Sequence, residues 1–314
     1  MKSLTTYITE KMVYKKSNTS TYKYFPKTKK DLQDIISKRM IDENDANLND
    51  IDTSEITDMS HLFDQFPDFC GDVSEWDVSN VKDMSNMFTE CRNFNCDLSN
   101  WNVFNVENFS YCFCYCKNFE GKGLENWNVS KAITMYEMFA YCEKFNENLS
   151  NWKLPKIWNT SLMFKNCINF TGKGLENWDI STVATVYEMF KNCINFDIDV
   201  SNFKICGNTD SFHGLFNNCQ NFKGKGLDKW VLHKSLGYVD SMFENCKSLN
   251  SKYLVSWNLD NTKINDIAYM FSNCIEFDGK LLDDWDLGKK IDKTNAFEKC
   301  LSVPKWYDAE KWEK

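Results

Sequence analysis

The residue types able to do chemistry in this chain are dispersed, and their spacing limits what each could do. His61, His213 and His233 lie far apart, and none stands beside a Cys or Ser in a nucleophile arrangement, where a base must sit within hydrogen-bond reach of the atom it activates. Carboxylates are plentiful but scattered singly, so no acid/base pair can be nominated and no catalytic residue is expected. Cys112, Cys114 and Cys116 alternate with Tyr111, Phe113 and Tyr115, and alternate thiolates facing one way could ligate a metal. Cys112, however, stands where equivalent stretches carry Met87 and Met138, Cys116 belongs to a recurring series, and no His is near. Packed thiols are therefore expected there, with no metal and no cofactor. Gly121-Lys122-Gly123, Gly172-Lys173-Gly174 and Gly224-Lys225-Gly226 could offer amides to a phosphate, but no strand-to-helix context or following Ser/Thr accompanies them. They read as glycine-assisted bulges that accommodate one inserted residue.

The elements that must position these residues are repeats. Trp76, Trp101, Trp127, Trp152, Trp178, Trp230, Trp257 and Trp285 recur at steps of 25 to 28 residues, with Phe203 in the one vacant place. In counter-phase runs a Phe series from Phe63 to Phe297. Cys follows three residues after each Phe except the first, from Cys91 to Cys300. Self-similarity at such a period means one elongated array of about ten coils spanning 48–300, not two globular domains. The nine recurring cysteines are a packing feature, since nine cannot all pair and a bridge needs specific Cβ geometry.

Within a coil two periods alternate. Leu98, Trp101, Val103 and Val106 give LxxWxVxxV, whose Trp101–Val103 segment has period two and predicts a brief strand with Asn100 and Asn102 on its open face. Met84, Met87, Phe88 and Cys91 stand at i, i+3, i+4 and i+7, which predicts a short helix with all four on one side. The expected fold is thus an α/β solenoid, each coil a short strand plus a short helix. Neither piece is stable alone, so stacking must bury Trp, Phe and Cys between like residues above and below. Thr28 with Asp31 three residues on resembles a capping box and predicts a helix within 27–47 that lids the first coil through Leu32, Ile35, Ile36 and Met40. Its charged side, Lys29, Lys30, Asp34, Lys38 and Arg39, reads as solvated, and 301–314 reads as a C-terminal cap.

Composition sets the outer limits. With 42% hydrophobic and 15% aromatic residues but only 12 Gly and 4 Pro, the chain has ample core material. The net charge of −8 is uneven: residues 1–30 carry eight Lys against one Glu, leaving the remainder near −15. Nucleic-acid affinity for the repeat body is therefore not expected. Residues 1–26 form a basic leader and tether. Leu4, Ile8 and Met12 fall at helical spacing among Lys11, Lys15 and Lys16, and two readings stand: a frayed terminus, or a peptide that docks on an acidic surface. No secretory segment is visible at the start, and no run approaches the roughly 20 apolar residues of a membrane span.

The phrase MSNMFTECRNF (84–94) joined to DLSNWNV (97–103) resembles the BspA-like leucine-rich-repeat surface-protein family, with LxxLxLxxN become LxxWxVxxV. The resemblance covers 48–303, and Val303-Pro304-Lys305-Trp306-Tyr307 is similar to that family's closing segment. It implies a leucine-rich-repeat solenoid and adhesion. The signal peptide or lipid-attachment Cys of a displayed adhesin is not seen, so a cytoplasmic or virion-associated location is expected. The leader is similar to those of phage-encoded proteins.

What remains for function is surface. The neighbours of each Trp form a ribbon, Asn100 and Asn102, Asn126 and Asn128, Asn151 and Lys153, Asn177 and Asp179, Asn202 and Lys204. Such a face could bind a protein or a glycan, or its amides could cap one another. Trp158, outside the Trp series, is an exposed anchor or a core substitute. The expected function is a non-catalytic leucine-rich-repeat binding or scaffold module. The alternative is a structural component of a virus or phage particle, docked to capsid or tail through its leader.

Overall fold

The structure, a computed structural model, describes residues 22–41, 43–203, 209–257, 259, 262–287 and 291–307. Its repeat is a chain of tight turns. Trp101 N–H donates to Leu98 C=O (3.1 Å), Val106 to Val103 (3.0 Å), Met87 to Met84 (3.2 Å), Cys91 to Phe88 (2.9 Å) and Phe94 to Cys91 (3.0 Å). Each of these buried pairs three residues apart is thus the closure of one turn, which is why the spacing of three recurs through the sequence. Both residues of each pair point inward, and all nine residues, Cys91 serving in two pairs, are at most 4% exposed.

This corrects the expectation of a strand and a helix in each coil. At Met84–Cys91, alternate N–H groups leave the coil altogether: Met84 donates to Asn108, Asn86 to Ser110, Phe88 to Cys112 and Glu90 to Cys114, at 2.8–2.9 Å. A helix needs those same N–H groups for its own carbonyls four residues back. Asn86 (φ 56°) and Glu90 (φ 64°) take left-handed conformations that turn the chain between successive rungs, and the corresponding residues of later coils follow suit. The set Met84, Met87, Phe88 and Cys91 faces inward as a helix would have placed it, but the backbone that does so is a zigzag. The strand is displaced as well. At Trp101–Val103 the chain runs between two turns, while parallel bridges form at Asp58, Asp83, Asn108, Thr134, Asn159 and Thr185, and again at Ser211, Tyr238, Asp266 and Asp292.

The core is a stack of aromatic columns. Phe113–Phe139, Phe139–Phe164 and Phe164–Phe190 lie 5.7 Å apart with nearly parallel rings, and Trp101–Trp127, Trp152–Trp178 and Trp257–Trp285 lie 6.2 Å apart. Phe203 is buried in its Trp place. Each such ring contributes about 2–3 kcal/mol from area alone. Indole and thiol donors inside the stack reach carbonyls of the preceding coil. The indole N–H of Trp101 donates to Val73 C=O (3.0 Å), Trp127 to Leu98 (3.2 Å) and Trp152 to Leu124 (2.8 Å). Cys142 Sγ donates to Phe113 C=O and Cys167 Sγ to Phe139 C=O, both at 3.0 Å.

Helix α1 (Lys29–Arg39) covers the first coil. Thr28 caps it, with the reciprocal bond from Asp31, and Leu32 and Ile36 are buried beneath it. Its charged side is not wholly solvated: Arg39 grips Asp50 (2.9 Å) and Asn47 C=O, and Lys29 reaches Asp58 (3.3 Å) and Ser60, so the cations pin the helix to the array. At the far end Trp306 and Tyr307 meet Phe297 edge-on at 5.7 and 5.0 Å. The Gly-Lys-Gly motifs sit where coils lengthen. Gly121, Gly123, Gly172, Gly174, Gly224 and Gly226 all have φ between 81° and 95°, and Gly123 and Gly226 open the 3-10 turns Leu124–Asn126 and Leu227–Lys229. Among the described residues no helix is long and apolar enough to cross a membrane.

Candidate functional surface

The tryptophan side of the coil exposes the residues that alternation assigns to it. Asn100, Asn102, Asn126, Asn128, Asn151, Lys153, Asn177, Asp179 and Asn202 are all exposed, on tight turns or the irregular segments between them instead of strands. Several of these side chains are engaged with the protein itself. Asn100 Nδ2 donates to Glu75 (2.8 Å), Asn151 Nδ2 to Glu125 C=O (3.1 Å) and Asn202 Nδ2 to Asn177 Oδ1 (3.1 Å). Asn102, Asn128 and Asp179 accept from the backbone two residues on, stabilising the corner that follows. Lys204 and the leader residues Leu4, Ile8, Lys11, Met12, Lys15 and Lys16 lie outside the described residues.

The bridged side carries a group that sequence reasoning passed over. Tyr115 and Tyr141 stack at 4.1 Å and 8°, their hydroxyls joined, which pushes Tyr115 up to about 12. Tyr111 and Tyr136 meet edge-on at 5.1 Å. Beneath them Cys114 and Ala140 are buried, although other coils place Asp64, Thr89, Lys165 or Glu244 at that outward position. Cys114 points toward Glu137 (3.8 Å) while Cys112 and Cys116 lie in the core, so the three thiols do not converge. Tyr111, Tyr115 and Tyr141 have φ of 60°, 63° and 64°. Other coils fill the position of Tyr115 and Tyr141 largely with Asn, which tolerates the left-handed region, whereas the position of Tyr111 takes residues as different as His61, Glu137, Leu162 and Tyr269. A Tyr there costs about 1 kcal/mol more than a permissive residue. The signal was present in the sequence as Tyr111, Tyr115 and Tyr141 replacing Asn86, Glu90 and Asn166, but without the backbone angles the substitution has no visible cost.

A charge cluster adjoins it. Glu188 is buried, bonded to Lys165 (2.8 Å) and Lys191, with His213 Nε2 at 3.8 Å. Burial alone would raise this carboxyl, but His213, Lys165 and Lys191 reverse that and hold it far below the usual carboxylate range. His213 Nδ1 bonds Asp240 in the next coil, and its ring stacks on Tyr187 at 4.8 Å. Asp240 first, then Glu188, lifts its pKa to about 9. Both ring nitrogens face carboxylates, so the imidazolium has no lone pair to offer as a base or a metal ligand. Its effect is to tie together the coils of Glu188, His213 and Asp240. His61 and His233 lie elsewhere, bonded to Asp64 and Ser235. Trp158 is 49% exposed, beside Ile133, which is 39% exposed and whose C=O accepts from Trp158 N–H (3.0 Å). Its ring lies on the surface and is not a core substitute.

The family described as "Mycoplasma protein of unknown function, DUF285" matches three overlapping stretches, residues 30–152, 110–230 and 207–312. No curated protein matches the chain. A solved structure titled "Crystal structure of TLR13-ssRNA13 complex" aligns with 90% of this chain at 11% identity and a TM-score of 0.19, a likeness too slight to carry an argument. The chain spans 57% of that structure's length.

Proposed function

Because the chain belongs to this Mycoplasma family of unknown function and is a repeat array, we propose that it is a non-catalytic binding module whose primary contact is the tyrosine cluster of the bridged side. The observation that carries the reading is the left-handed backbone beneath Tyr115 and Tyr141, at a position that later coils fill with Asn166, Asn192, Asn218, Asn245 and Asn273. Bulky residues at positions that favour Asn or Gly are kept for what their side chains do. Here those side chains lie outside the core, clustered and rigidly supported. Tyr offers a large amphipathic contact at low entropic cost, the property that makes it common in recognition surfaces.

The amide ribbon beside the tryptophans takes a secondary part in this reading, since several of its groups are bonded within the protein. The test is an array of immobilised proteins and glycans probed with three forms of the chain: native, Tyr115→Asn with Tyr141→Asn, and Asn100→Ala with Asn102→Ala and Asn126→Ala. Capture that persists in the ribbon variant and disappears in the tyrosine variant is the expected result. Capture indifferent to the tyrosines, or no capture by the native protein, overturns it.

A further inference from the structure

The column that holds Tyr115 and Tyr141 continues into Asn166, Asn192 and Asn218. There Asn192 Nδ2 donates to Asn166 Oδ1 (2.7 Å) and Asn218 Nδ2 to Asn192 Oδ1 (2.9 Å). Three residues further along each coil runs a second amide column, where Asn221 Nδ2 donates to Asn195 Oδ1 (3.2 Å). Between the two stand Ile168, 41% exposed, and Ile194, half-buried. The first column has a backbone reason for Asn, with φ of 60°, 62° and 58°. Asn195 and Asn221 are not among the left-handed residues, so the second amide ladder needs another explanation. Asn192 commits one N–H and one lone pair to its neighbours and retains another of each, and Asn218 Oδ1 also accepts from Gln220 Nε2 (3.0 Å).

We infer that this strip seats a linear neutral glycan lying along the array, one pyranose ring per coil. The inference rests on the binding role proposed above and names its ligand class. A pyranose has an apolar C–H face bordered by hydroxyls on both edges, and the strip is an apolar row bordered by amides on both sides. Charge points the same way: Lys117 is matched to Glu143 (2.8 Å), and Lys165 and Lys191 to Glu188, so the surroundings favour an uncharged ligand. Period is the third argument. Parallel rungs repeat at about 4.8 Å, and an extended peptide at about 3.3 Å per residue with alternating side chains falls out of step with them. A chain of equatorially linked sugar rings advances one ring at a step close to the rung, with alternate rings turned over, so that each ring can lie over one coil and present hydroxyls from both of its edges to the two amide columns.

The experiment is calorimetric titration of the full chain with linear β-linked oligosaccharides of glucose and of N-acetylglucosamine, in increasing length. Affinity is expected to rise with each added ring until the strip is filled. Ile168→Asp, on an exposed side chain, is expected to weaken the longest ligand by about tenfold or more, and Asn195→Ala to weaken it less, with melting temperatures of both close to native. Binding independent of length, binding unchanged in both variants, or no binding at all overturns the inference. A protein ligand that is lost in the Tyr115→Asn, Tyr141→Asn form while no oligosaccharide binds overturns the glycan and leaves the tyrosine surface standing. An array blank for every probe removes both.

Discussion

Cys116 Sγ donates to the carbonyl of Phe88 in the preceding coil at 3.0 Å, and the same relation recurs from Cys142–Phe113 to Cys300–Phe271. Each of these carbonyls already accepts the turn bond from its own coil's Cys N–H, so the thiol supplies its second partner. A Cys fits because it is small, apolar in bulk and still a weak donor.

The thiol column should therefore be sensitive to both size and donor. Cys167→Ala is expected to cost about 1–2 kcal/mol, through lost packing and the lost Sγ–H bond. Cys167→Val is expected to cost more, since it removes the donor and adds volume to a packed column. Urea unfolding of the two variants measures both, and a Val variant as stable as the native chain would contradict the account.

The tryptophans make a paired prediction. Trp152 Nε1 donates to Leu124 C=O at 2.8 Å, whereas Trp285 Nε1 is buried without a partner among the described residues. Trp152→Phe should lose about 1–2 kcal/mol more than Trp285→Phe, because only the first surrenders a hydrogen bond while both surrender similar ring area. Equal losses in thermal unfolding would show that the indole bonds are immaterial.

The Gly-Lys-Gly motifs should prove structural in their glycines and indifferent in their lysine. Gly174 has φ 92°, and a Cβ there would stand 2.3 Å from Asn148 Oδ1 and 2.5 Å from Ser150 N. Gly174→Ala is expected to cost about 3 kcal/mol or more, while exposed Lys173→Ala should stay within about 0.5 kcal/mol of native. The reverse order in denaturant midpoints would reopen the phosphate reading of the motif.

Stability should depend on pH in a defined way. His213, raised from 6.5 to about 9, contributes fully below 6.5 and loses its contribution as pH climbs through about 9. Glu188, held below its ordinary 4.5, contributes above 4.5 and loses it as pH falls further. The cluster is thus complete between 4.5 and 6.5. Buried thiols such as Cys142 and Cys167, pushed well above 9.0 by burial, add a steeper loss beyond 9 because only the unfolded chain ionises freely there. His213→Gln should flatten the limb between 6.5 and 9 and leave the thiol limb intact. Urea midpoints taken across pH read this directly, and an unchanged slope in the variant would rule out the His213 assignment.

Much of the inward-facing set was legible. Spacings of three between Leu98 and Trp101, Met84 and Met87, Phe88 and Cys91 named the buried residues correctly, because a helix and a closed turn both return the third residue to the same side. That degeneracy is also why the backbone was misread: periodicity reports which side chains share a face, not which carbonyl each N–H selects. Asn100, Asn126 and Asn151 were recognisable as outward residues, since each precedes a Trp that must be inside. Tyr111, Tyr115, Tyr136 and Tyr141 were not recognisable as one group, because they come from two coils and meet only when those coils stack.

The amino-acid sequence by itself determined the period, the number of coils and the identity of the Trp, Phe and Cys columns, since identical residues at a fixed interval can be buried together only by piling one coil on the next. The tertiary structure alone decided where the N–H groups of Met84–Cys91 go, which positions carry left-handed backbone, and that His213 lies between Glu188 and Asp240. Those are relations between neighbouring coils. Their geometry is set by hydrogen bonds reaching some 25 residues along the chain, such as Met84 N–H to Asn108 C=O, a distance over which local propensity carries no information.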